Sequence, residues 1–143
     1  MNLGSVKRED RSRAVKFLAV GTALRKTAEA LDELGEREYA NGPAIIAIHA
    51  AIAYTDALTS AYREIRSVDG DHTRAAAVLS HALGARARDQ VPRLRRMLDA
   101  KTHASYSGSY YTLEEGRDIL RDLKRYATWA EEMLEQRPAL AHR

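Results

Sequence analysis

Cysteine is missing from this chain of 143 residues, and proline occurs only at Pro43, Pro92 and Pro138. Without cysteine there is no disulfide framework, no thiolate metal site and no cysteine nucleophile, which suits a reducing compartment. No window of the sequence approaches the ~20 apolar residues of a membrane span. The N-terminus, "MNLGSVKREDRSRAVKF", has charges where a secretory signal needs its apolar core, so a soluble, cytoplasmic protein without membrane association is expected. The five histidines are scattered and none forms a Glu-x-x-His pair on a helix, so neither a metal nor any other cofactor is expected. There is no glycine-rich phosphate loop, and no serine combines with a plausible histidine and acid. Strand alternation, internal repeats and low-complexity segments are absent as well.

What remains is helix-forming sequence. Alanine, leucine and arginine dominate between the prolines, and 143 residues at 45% hydrophobic suit one domain over 1–143, with an N-terminal arm to about 11 and a tail from about 137. A first helix is expected from about Ser12 to Leu34, with Phe17, Leu24, Ala28, Leu31 and Leu34 on one stripe. Pro43 suits the first turn of a second helix reaching about Arg66. Asp71 or Thr73 can cap a short third helix ending near Leu83. A fourth runs from about Asp89 or Gln90 to Thr102, and Thr112 with Glu115 forms a capping box for a fifth that ends shortly before Pro138. Short connections between amphipathic helices favour antiparallel neighbours. The fold class is therefore all-α, an up-and-down four-helix bundle with an additional short helix.

At ~100° per residue, Ile45, Ile48, Ile52, His49 and Asp56 share one face of the second helix. On the fourth, Val91, Leu94 and Leu98 define the inner face, with Lys101 close to it. A charge facing the core needs a partner, so Asp56 and Lys101 are expected to form a structural ion pair. His49 reads as a core or interface histidine and Trp129 as packing. Leu58, Tyr62 and Ile65 are rotated away from the first stripe of the second helix, which suggests a face for a symmetric homodimer.

Arg96 and His103, seven residues apart, project together from the side of the fourth helix opposite its core face. Residues 86–101 carry six cations against Asp89 and Asp99, enough to attract a polyanion. The stretch "LDAKTHASYSGSYY" then adds three tyrosines near His103.

The segments "HAAIAYTDAL" and "LDAKTHASYSGSYYTLEEGRDILRDLKRYATWAEEML" resemble the HEPN superfamily of small helical nucleotide-binding proteins, over most of the chain from the second helix onward. The resemblance implies a helical bundle, a homodimer, RNA or a nucleotide as ligand, and in some relatives a separately encoded nucleotidyltransferase as partner. Ribonucleases and toxins of the superfamily carry an arginine, a spacer of four to six residues and then a histidine, with the motifs of two protomers meeting at their interface. Arg96 and His103 match that spacing and would be the catalytic pair. Met97 stands where a polar residue is usual, and Tyr106 lies one position beyond the tyrosine that is modified in family toxins.

The chemistry such residues offer is metal-independent RNA cleavage. His103 would move a proton near neutral pH, and Arg96 would hold the non-bridging oxygens. Arg95, Arg96, Lys101 and Tyr106 are the expected nucleic-acid or nucleotide contacts, with Tyr110 and Tyr111 as further stacking candidates. Because Met97 departs from the pattern, a dimeric binding module without efficient cleavage is expected, in which Arg96, His103 and Tyr106 line a groove at the dimer seam. The alternative is a ribonuclease of toxin-antitoxin type.

Overall fold

Alanine lets the second helix sit at the centre of the molecule, because small side chains allow neighbours to approach from every direction. The computed structural model describes residues 6–35, 40–68, 74–106 and 111–137, the side chains of 101–106 excepted. Its helices are α1 (Ala14–Glu33), α2 (Asn41–Arg63), α3 (Ala75–Leu83), α4 (Val91–Tyr106) and α5 (Leu113–Glu135). Every other helix packs on α2, and each of its residues from Ala50 to Ala61 is buried. By length and composition α2 is the one helix among the described residues that could cross a membrane; here that apolar surface lies inside the bundle.

The buried residues of α1 are Ala14, Gly21 and Ala28. Sevenfold spacing is nearly two full turns, so the three form one line of small residues against α2. At Gly21 the Tyr54 ring fills the space of a side chain; a Cβ there would stand 3.1 Å from Tyr54 Cδ2. The Tyr54 hydroxyl accepts from Arg25 Nε at 3.2 Å and donates to Glu131 Oε1 at 3.3 Å. One side chain of α2 thereby holds α1 and α5 together.

Pro43 lies in the first turn of α2 as expected, and the C-terminal end of the helix departs from the sequence expectation. The helix stops at Arg63, where Glu64 takes a left-handed conformation (φ 56°) and its N–H caps Ser60 O at 3.0 Å. Ile65–Ser67 then forms a strand, β2, antiparallel to β1 (Val6–Arg8), with Lys7 opposite Arg66. The expected N-terminal arm is thus tied down by pairing and by charge: Arg66 Nε donates to Glu9 Oε2 at 2.8 Å, and Arg11 Nε to Ala61 O at 2.7 Å. At the other end, Tyr111 N–H donates to Asn41 Oδ1 at 2.7 Å, fastening the start of α5 to the start of α2. The Thr112–Glu115 capping box is present in both directions at 3.0 Å. The expected caps Asp71 and Thr73 of α3 lie outside the described residues.

The apolar excess of α2 is taken up within the chain. Leu58 is fully buried, Ile65 belongs to β2, and the Tyr62 hydroxyl donates to Met133 O at 2.7 Å while Arg86 and Arg137 lie over its ring. These residues therefore do not form the dimer face that the sequence suggested.

Between α2 and α5, Thr55 Oγ1 donates to Ala51 O at 2.8 Å, so the Tyr126 hydroxyl, 2.6 Å away, is the donor to Thr55. Burial pushes the Tyr126 phenol far above the usual tyrosine range, and the nearby Asp56 adds to the shift. Burial also raises Tyr62 and Tyr111. A folded-state pKa above the unfolded value near 10 means that this stability is complete below pH 10 and is lost as pH rises beyond it. We expect Tyr126→Phe to cost about 1 kcal/mol at neutral pH from the lost hydrogen bond. Urea midpoints measured from pH 7 to 11 should fall less steeply above pH 10 in the variant than in the wild type.

Candidate nucleic-acid interface

Residues Val91 to Tyr106 form one unbroken helix, longer than the sequence suggested, because Pro92 sits harmlessly in its first turn and nothing up to Tyr106 interrupts it. Leu94, Met97 and Leu98 are buried. The position after Arg96 is therefore a core position in this fold, which accounts for methionine there. Arg95 and Arg96 are exposed on the other side. His103 falls seven helical residues after Arg96, hence within about 20° of the same face. Lys101 and Tyr106 also occupy helical positions of α4, and the side chains of Lys101, His103 and Tyr106 lie outside the described residues.

Asp56 is 8% exposed. Its expected partner, Lys101, belongs to those undescribed side chains; the cation placed near it is Arg66, with Nη1 at 3.9 Å from Asp56 Oδ2. His49, one heptad earlier, is exposed rather than part of an inner stripe. Arg66 lies on β2, directly beyond the C-terminal end of α2, whereas His49 lies two turns before Asp56. Trp129 packs on Tyr126 with ring centroids 5.5 Å apart, as read from the sequence. Tyr110 is outside the described residues. Tyr111 is not a stacking platform: it is 6% exposed and its hydroxyl donates to Ala100 O at 2.8 Å, closing the end of α4 onto α5.

The structure adds a partner for the basic helix that sequence reading did not find. Asp122 of α5 faces two arginines of α4, with Oδ1 3.4 Å from Arg93 Nε and 3.4 Å from Arg96 Nη2. Arg93 is held further by Gln90, whose Oε1 accepts from Nη1 at 2.6 Å. Beside this triad runs an open trough of about 410 Å³ lined by Gln90, Arg93, Lys124, Arg125 and Thr128. Its lining contains three cations and no carboxylate. Arg117 and Arg121 extend the positive row along the exposed face of α5, and their ion pairs go to Asp32 and Asp118. The cations at 117, 121, 124 and 125 on an amphipathic helix were the available signal; the charge of α4 drew attention first.

Among the described residues no three of His, Asp or Glu gather as a metal site. The arrangement can hold a polyanion by charge and by arginine forks. Compared with protein-family models, curated proteins and solved structures, the chain matches none.

Asp122 competes with any phosphate for Arg93 and Arg96. Asp122→Asn should therefore tighten binding of single-stranded RNA at low salt by about three- to tenfold and steepen its salt dependence. Fluorescence anisotropy on a protein whose melting is unchanged checks this. Weaker binding by the variant would make Asp122 a support for the arginines rather than their competitor.

Proposed function

We propose that this chain is a HEPN-like RNA- or nucleotide-binding module that acts as a homodimer and holds its ligand along α4 and α5 without efficient cleavage. The observation that carries the reading is the carboxylate-free trough of Arg93, Lys124 and Arg125 beside exposed Arg96. An extended row of cations recognises a phosphate backbone without regard to sequence, and its affinity falls with salt because releasing counterions into a more concentrated solution gains less entropy. The preference for binding over cleavage rests on Met97. Its burial removes the polar neighbour that the arginine has in the superfamily's ribonucleases.

The second reading, a metal-independent ribonuclease of toxin-antitoxin type, is favoured by the shared face of Arg96 and His103 on an unbroken helix. Proton transfer by the histidine and charge stabilisation by the arginine would both be needed at one phosphate. Such a toxin would work with a separately encoded nucleotidyltransferase.

Single-stranded RNA mixed with the protein in chelator separates the two readings. Binding should be retained in His103→Ala, weakened severalfold in Arg96→Ala and Lys124→Ala, and lost progressively between about 50 and 200 mM salt, with the RNA intact. Prompt cleavage that disappears with His103→Ala would replace the binding reading by the ribonuclease. No interaction at low salt would contradict both.

A further inference from the structure

Two neutral side chains stand among the cations of the trough, Gln90 just before α4 and Thr128 on α5. The cations hold the phosphates of RNA and DNA alike, since a contact to phosphate carries no information about the sugar or the base. The bonds that the two neutral groups already make leave each of them a single role. Thr128 has one hydroxyl proton, and Oγ1 donates it to Lys124 O, one turn back, at 3.0 Å. No described residue donates to Oγ1 in return, so this exposed oxygen can only accept. Gln90 is the complement. Its Oε1 accepts from Arg93 Nη1 at 2.6 Å, and because a guanidinium only donates, that contact fixes which end of the amide is the oxygen. Its Nε2 is the open group, and it can only donate.

An oxygen with no proton to give cannot serve a phosphate. A phosphodiester is ionised and presents acceptors only, so at Thr128 lone pairs would face lone pairs. The ligand group beside Thr128 must therefore be a donor. Lys124 and Thr128 are four apart on α5, with Cβ atoms about 5–6 Å from each other. A phosphate held by Lys124 thus brings to Thr128 the part of the nucleotide bonded directly to it, which is the sugar. The carboxylates further along α5 keep the phosphates at this end of the trough. Exposed Glu132, seven residues after Arg125, continues the same face within about 20°, and Glu131 accepts from the Tyr54 hydroxyl. We infer that Thr128 selects ribose over deoxyribose, its Oγ1 accepting from the 2′-hydroxyl of a strand whose phosphate Lys124 holds. Gln90, on the α4 side of the trough, donates to the acceptors of the same strand.

This inference rests on the strand-binding reading proposed above and adds what a row of cations cannot supply. The 2′-hydroxyl is the one group by which the two sugars differ, and it is a donor as well as an acceptor. A deoxyribose leaves Thr128 Oγ1 to water. Because Thr128 is exposed, the lost bond is exchanged for one to solvent, and the discrimination is modest.

Fluorescence anisotropy at low salt tests it with short single strands of one sequence that differ only at the 2′ position, carrying hydroxyl, hydrogen or fluorine, with uracil in place of thymine throughout. Fluorine keeps the ribose pucker but cannot donate, so the 2′-fluoro strand separates hydrogen bonding from strand shape. The wild type should prefer the 2′-hydroxyl strand about five- to tenfold over both others. Thr128→Val, which keeps the branched shape without the hydroxyl, should bring the affinities together, chiefly through weaker binding of RNA. Thr128→Ser should recover the preference, and melting verifies that both variants fold. Equal affinity of the wild type for all the strands, or a preference that Thr128→Val leaves intact, would overturn the inference while the cation-based reading stands. Binding of the 2′-fluoro strand as tight as that of RNA would assign the preference to strand shape, and it too would overturn the inference. Absence of binding to any strand would overturn the proposed function and this inference with it.

Discussion

The placement of Tyr54 against Gly21 is the constraint on which the bundle depends. Only a residue without a side chain leaves room for that ring, and with the ring there the phenol oxygen reaches both Arg25 on α1 and Glu131 on α5. α2 is enclosed around its circumference from Ala50 to Ala61, so each polar group it carries there must be satisfied by a neighbour or bear the cost of burial. Thr55 is satisfied through Ala51 and Tyr126, and Arg66 stands near Asp56. These contacts fix the rotation of α5, because Tyr126 and Glu131 must both face α2.

Fixing α5 also fixes the basic surface. With Leu123, Tyr126, Ala127 and Ala130 inside, Asp122 comes to the edge that meets α4, while Lys124 and Arg125 face solvent. α4 is held from its own side by Leu94, Met97 and Leu98. The three-way arrangement of Arg93, Asp122 and Arg96 is therefore a consequence of core packing on both helices. The contact of Asp122 with Arg96, whose side chain is 60% exposed, contributes little to stability, and its effect is on what else that arginine can hold, whereas the Arg93–Asp122 pair is largely buried. The carboxylate moderates the positive charge of α4 without removing it.

Much of the helical architecture was legible in the sequence because helix signals are local. The Thr112–Glu115 capping box could be read from two residues three apart, and Pro43 marks the first turn of α2. What escaped depends on partners far along the chain. Strands of three residues, Val6–Arg8 and Ile65–Ser67, are too short to show alternation, and they exist because residues about 60 positions apart pair. Wheel geometry correctly marked Asp56 as a carboxylate turned inward, but it could not foresee that the pairing of β2 with β1 would hold Arg66 beside it. Within the candidate interface, Arg95 and Arg96 were legible as an exposed basic face. Asp122 was not, since a carboxylate 26 residues away in sequence from Arg96 becomes its neighbour only through packing. Tyr111 appeared to belong with the other tyrosines of its stretch, and the backbone carbonyl of Ala100 gives it a structural task instead.

The central claim is that a phosphate backbone lies along the joint face of α4 and α5. Titrating isotopically labelled protein with a short single-stranded RNA at low salt, and following backbone amide chemical shifts, tests it residue by residue. The account predicts perturbations concentrated on α4 around Arg93–Arg96 and on α5 from Arg121 to Thr128, fading as salt is raised, with α1 unaffected. Perturbations centred on α1, or none at any salt concentration, would contradict it.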